Sequence, residues 1–172
     1  MNLLCALQWS LTFLATCSSA YEIGIQYDVP FADLVSAGCY KCYKAILTTT
    51  TKSSDITSCA GPYLFVGTQS FDNVTFVVGA FAPAIEVQKP TSLSNSRFSH
   101  GLYWHFDEKK VFGFSMSRYD RIGMMSDSRR GYEADVGHTR DLFWSLDQTH
   151  LRHKSSAQSP SDQSKWILNC PG

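Results

Sequence analysis

Six cysteines fall in a chain of 172 residues, and two of them, Cys5 and Cys17, sit inside an apolar N-terminal segment. Residues 1–20 carry no acidic or basic side chain, run apolar from Leu3 to Ala15 with breaks only at Gln8, Ser10 and Thr12, and end in small residues including Ser18 and Ala20. That is the hydrophobic run and cleavage region of a secretory signal peptide. It is short for a transmembrane helix, which needs about 20 apolar residues. Export then leaves Cys39, Cys42, Cys59 and Cys170 in an oxidising compartment. An even set there reads as two disulfides with three possible connectivities. The expected arrangement ties the segment holding Cys39 and Cys42 to Cys59 and to Cys170, so that the two ends of a single domain at 21–172 are held together. A metal reading is weaker, because Cys59 and Cys170 do not form a second tight pair, and no metal or cofactor is expected.

The mature chain reads as mainly β. Pro30 suits a helix start and opens a short helical stretch to Val35. The run Thr48–Thr51, with Lys52, Ser53 and Ser54, reads as a loop. From Gly61 onward strand formers dominate. Tyr63–Val66 and Val74–Phe81 flank the turn-like Gln69–Asn73, which predicts a hairpin. Ile85–Gln88 alternates apolar with polar, which predicts a further strand. Leu102–Phe106 and Val111–Ser115 flank four polar residues, Asp107–Lys110, and predict a second hairpin. Leu142–Leu146 and Trp166–Leu168 supply late strands, with a polar span from His150 to Ser164 expected on the surface. Seven or eight short strands separated by turns argue for a disulfide-stabilised antiparallel β-sandwich with one or two short helices near the N-terminus.

Charge excludes one class of partner. Lys and Arg total 15 against 15 Asp and Glu, a net charge of zero, whereas nucleic-acid binding is driven by a cationic excess. The balance is uneven, −3 over residues 21–108 and +3 over residues 109–172 by formal charge. That is too mild to imply a polyanion.

The chemistry-bearing residues are few. Asn73-Val74-Thr75 is an N-glycosylation sequon at the tip of the first expected hairpin. Tyr103, His105 and Asp107 occupy alternate positions and share one face of a strand, opposite Leu102, Trp104 and Phe106. A His beside a carboxylate is a possible general base, yet no G-x-S-x-G nucleophile motif accompanies it. His150 and His153 have weak metal spacing and lie among Arg152 and Lys154. The carboxylates are not arranged as a glycosidase pair, and phosphate-binding and dinucleotide glycine motifs are absent. The aromatic content of 13% is the remaining lead. Tyr103, Trp104, His105 and Asp107 are the candidate binding residues for an extracellular glycan or protein.

Six blocks carry a resemblance. Cys59-Ala60-Gly61-Pro62-Tyr63-Leu64-Phe65-Val66-Gly67, Val78-Gly79-Ala80-Phe81-Ala82, Gly101-Leu102-Tyr103-Trp104-His105-Phe106, Phe112-Gly113-Phe114-Ser115, Leu142-Phe143-Trp144-Ser145-Leu146-Asp147 and Lys165-Trp166-Ile167-Leu168-Asn169-Cys170 together resemble uncharacterised small secreted eukaryotic β-domains, over most of residues 39–172. More remotely, their order is similar to the TLDc domain. That resemblance implies a β-sandwich with short helices, a link to oxidation resistance, vacuolar proton-pump binding in several members and no agreed catalytic constellation. The signal peptide, the cysteines and the missing glycine-rich stretch depart from TLDc, and a cytosolic partner is not transferable to an exported chain. The expectation is therefore a secreted, non-catalytic binding module. The alternatives are a small hydrolase using His105 and Asp107, or a structural matrix or coat protein.

Overall fold

The structure is a computed structural model that describes residues 22–47, 49–70, 74–91, 95–107, 111–116, 118, 132–134, 142–146 and 163–172. Residues 1–20, read above as a signal peptide, the sequon residue Asn73 and both His150 and His153 lie outside the described residues.

Ten strands and three short helices are present among the described residues. In chain order they are β1 (Ile25–Pro30), α1 (Phe31–Ser36), β2 (Tyr40–Ile46), α2 (Ser53–Thr57), β3 (Tyr63–Ser70), β4 (Thr75–Pro83), α3 (Ala84–Val87), β5 (Arg97–Ser99), β6 (Leu102–Asp107), β7 (Val111–Ser115), β8 (Tyr132–Ala134), β9 (Leu142–Ser145) and β10 (Gln163–Cys170). They form two five-stranded sheets, ordered β1-β4-β3-β10-β2 and β5-β6-β7-β9-β8, and every strand pair is antiparallel. The mainly β, disulfide-braced sandwich is thus the observed architecture.

The two sheets share one core. Leu64 and Val66 of β3, Val78, Ala80 and Ala82 of β4 and Ile167 of β10 pack with Leu102, Trp104 and Phe106 of β6, Phe112 and Phe114 of β7 and Leu142 and Trp144 of β9. The opposite face of the first sheet is buried as well. Phe65, Phe76, Phe81, Trp166 and Leu168 lie there under Leu34 of α1, with Phe31 packed against them. Burial on both faces explains why Val74–Phe81 reads as a nearly continuous apolar run instead of an alternating one. In this outer layer Gly67 and Gly79 are directly paired across β3 and β4. The Phe65 ring lies over that pair, so closely that a Cβ on Gly79 would overlap its Cζ atom. Phe65 meets Phe76 and Phe81 at centroid distances of 4.8 Å each, aromatic contacts worth about 0.5–1.5 kcal/mol apiece beyond area burial.

Two disulfides, Cys39–Cys170 and Cys42–Cys59, brace the first sheet. The first joins the exit of α1 to the end of β10. It follows a helix stop in which Gly38 takes φ +87°, and the Gly38 and Cys39 N–H groups donate back to Val35 and Leu34 carbonyls at 2.9 Å. Glycine there meets the left-handed requirement of a helix end at little steric cost.

Several local readings require correction. Ile85–Gln88 is not a strand: after Pro83 the chain makes one helical turn, α3, which buries Ala84 and Val87 three apart and leaves Ile85 exposed. A four-residue alternation fits one helical turn as well as a strand. Ser53 and Ser54 start α2, where the Lys52 N–H donates to Asp55 Oδ2 at 2.8 Å. β1, β2, β5 and β8 were not anticipated. Each of them is an edge strand, and an edge strand carries less of the buried pattern that marks an interior one.

Candidate functional site

The β6–β7 hairpin holds the sequence candidates. Its register pairs Tyr103 with Ser115, His105 with Gly113 and Asp107 with Val111. Tyr103, His105 and Asp107 therefore share the outer face of the second sheet, as alternation requires. That face is not uniformly open. Tyr103 and Asp107 are half-buried, while His105 is only 3% exposed. Gly113 stands between His105 and Phe143 in one cross-strand row. Having no side chain, it lets the two rings close over it to a T-shaped contact at 5.2 Å. The His105 Nε2 and Ser115 Oγ lie 3.3 Å apart, the hydrogen-bond direction being set by the tautomer.

Burial pushes the His105 imidazole down to about 4, and no neighbouring charge offsets it. The ring is neutral at neutral pH. Ser115 is fully buried, so the pair presents no nucleophile at the surface. Asp107 is one pleat further along, about 6.6 Å at the Cα from the strand rise.

Trp104 belongs to the core and offers no platform. Its ring is tilted on Phe114 at 5.2 Å and its Nε1–H donates to the Ser99 carbonyl at 3.2 Å, which ties β6 to β5. Trp144 and Trp166 are likewise buried. The exposed ring in this region is Phe98 of β5, 63% exposed and tilted against Tyr103 at 4.9 Å. The placement follows from the turn. His100 and Gly101 both have positive φ, +51° and +77°, the pattern of a two-residue type I′ hairpin turn. That turn pairs Phe98 directly with Tyr103. The His100 ring then meets Tyr63 edge-on at 5.6 Å. Sequence reading overlooked Phe98. The available signal was the polar–aromatic–polar triplet Arg97-Phe98-Ser99 ahead of His100-Gly101.

A second constellation lies between the sheets and also escaped the sequence reading. Lys165 of β10 is buried on the inner face. Its ammonium donates to the Thr49 carbonyl and lies 5.8 Å from the centre of the Trp144 ring. Burial lowers its pKa to about 8, partly opposed by the Asp55 carboxylate. Nearby, Tyr43 OH and Thr51 Oγ1 share a hydrogen bond of 3.0 Å. Burial raises the Tyr43 phenol, with the Asp55 charge acting in the same direction and the Thr51 bond opposing. No group of three or more His, Cys, Asp or Glu with metal-binding geometry occurs among the described residues. No helix among them is long and apolar enough to cross a membrane. Comparison of the chain with protein-family models, curated proteins and solved structures finds no match.

Proposed function

We propose that this chain is a secreted, disulfide-braced, non-catalytic binding module that meets an extracellular glycan or protein through the aromatic corner at Phe98 and Tyr103. The carrying observation is Phe98, a large ring left mostly in solvent on a three-residue edge strand and backed by a second aromatic. An aromatic face presents apolar area at low conformational cost, while the Tyr103 hydroxyl, Ser99, His100 and Asp107 supply polar groups in the neighbouring positions. The two disulfides fit passage through an oxidising compartment, as export by the N-terminal leader requires. The Asn73 sequon would carry its sugar there. The TLDc-like block order adds no activity, because that family has no agreed catalytic constellation.

The hydrolase reading retains one observation, the His105–Ser115 contact, and is disfavoured by the burial of both groups. The test of the binding reading is a glycan array run beside a panel of extracellular matrix proteins, with the purified protein as probe. Phe98→Ala is expected to weaken any captured ligand by about tenfold or more, the loss of one aromatic anchor. Ile85→Ala, an exposed apolar control on α3, is expected to leave it unchanged. Equal binding by Phe98→Ala and the parent protein would remove this corner from consideration.

A further inference from the structure

The β5–β6 hairpin fixes the direction of the Phe98 backbone as well as the place of its ring. His100 and Gly101 form a two-residue turn, so Ser99 and Leu102 are the hydrogen-bonded pair that closes it. Hydrogen-bonded and non-bonded pairs alternate along an antiparallel ladder. Phe98 and Tyr103 are therefore a non-bonded pair, and the N–H and C=O of Phe98 point away from β6. β5 is the outer strand of its sheet, so both groups lie along an edge, beside a ring that is 63% exposed. Polar groups of the flanking residues are engaged within the protein. Ser99 Oγ and His100 Nδ1 lie 3.2 Å apart, and the Ser99 carbonyl accepts from Trp104 Nε1–H at 3.2 Å. The His100 carbonyl accepts from the Gly24 N–H at 2.9 Å, and Arg97 Nη1 pairs with Glu86 Oε2 at 2.9 Å. Ile23 sets its Cγ2 methyl against Gly101 and is itself 75% exposed, which extends the apolar surface at the turn.

A glycan is oriented by polar groups placed around an apolar face, whereas this corner offers an apolar face and an outward-pointing backbone pair. Those are the two things that strand addition uses, main-chain bonds for affinity and side-chain contacts at alternate positions for specificity. We propose that the ligand of this corner is an extended polypeptide segment that pairs with Phe98 at the edge of β5 and sets an apolar side chain beside its ring. The added side chain takes the next place in the Tyr103–Phe98 row, where cross-strand aromatic and β-branched partners are stabilising. β5 has only three residues, so one backbone pair is on offer and the ring must supply much of the binding. The inference rests on the binding reading above and narrows its ligand.

The experiment selects random linear peptides displayed on phage against the purified protein, in parallel with the glycan array. Enriched peptides are expected to carry apolar residues at alternate positions. In synthetic copies, N-methylation of the residue facing Phe98 is expected to weaken binding by about tenfold, the loss of one main-chain hydrogen bond. N-methylation of the residue on either side, whose N–H points away from β5, is expected to be tolerated. Phe98→Ala is expected to weaken the peptides by about tenfold or more. Phe98→Pro also removes the outward N–H, a change that an edge strand tolerates, and is expected to weaken them further. Should Phe98→Pro perturb folding, the N-methyl series carries the comparison, since it leaves the protein unaltered. No peptide enrichment, or an N-methyl series without that alternation, would overturn the inference. Glycans captured through Phe98 in place of peptides would overturn it and leave the corner as a binding site. Indifference of every captured ligand to Phe98→Ala would remove the corner itself.

Discussion

At the scale of single residues, His105 and Lys165 show how a polar side chain can be drawn into a β-sandwich. His105 is accommodated because Gly113 leaves a gap beside it and Ser115 offers a hydroxyl. The consequence is a pH dependence whose sign is fixed. The folded-state pKa near 4 lies below the ordinary histidine value of 6.5, so between these values the unfolded chain binds the extra proton. Stability is therefore fully present above about pH 6.5 and falls as the pH drops toward 4. The loss attributable to His105 is on the order of 3 kcal/mol. His105→Gln keeps a partner for Ser115 but does not titrate. Urea midpoints at pH 7.5 and 4.5 are expected to separate much less for this variant than for the parent. Equal separations would mean that other groups govern the acid limb. The face on which His105 stands was legible from Tyr103, His105 and Asp107, because a period of two fixes sidedness. Its burial was not, because that depends on Phe143, a residue brought alongside only by the β7–β9 pairing.

At the scale of elements, hairpins were more legible than edges. The β6–β7 pair announced itself through four polar residues between aromatic runs, and its register agrees with that reading. β2 did not, since Tyr40-Lys41-Cys42-Tyr43-Lys44-Ala45-Ile46 borders the sheet and keeps much of its surface exposed. The inward lysine of β10 was hidden by a different cause: Trp166-Ile167-Leu168 is apolar on both faces and gives no phase to its neighbours. The packing of β3 against β4 rests on the Gly67–Gly79 notch that receives Phe65. Gly79→Ala fills the notch and is expected to destabilise by about 1–3 kcal/mol, the usual range for overpacking. Because the collision is with one ring, Phe65→Leu in the same chain should recover part of that loss. A double-mutant cycle by chemical denaturation measures the coupling. Strict additivity would place the strain elsewhere.

At the scale of the whole molecule, the two disulfides act over very different spans. Cys39–Cys170 are separated by 131 residues and Cys42–Cys59 by 17. Chain-entropy reasoning assigns about 5 kcal/mol to a loop of the first size and about 3 kcal/mol to one of the second. Removing the pair Cys39→Ala and Cys170→Ala is expected to lower the denaturation midpoint more than removing Cys42→Ala and Cys59→Ala. The reverse order would show that the short bridge holds a structural contact beyond loop closure. The number of cysteines foretold two bridges, but choosing among three pairings required knowing that β10 returns beside β2.

That return has a temporal meaning. β10 sits between β3 and β2, so one interior strand of the first sheet is the last of its five to be synthesised. Until residue 170 has left the ribosome, β2 and β3 each lack a neighbour and the Cys39 thiol has no mate. The first sheet can therefore close only late. The Cys39–Cys170 bond, unlike Cys42–Cys59, can form only after β10 has been made.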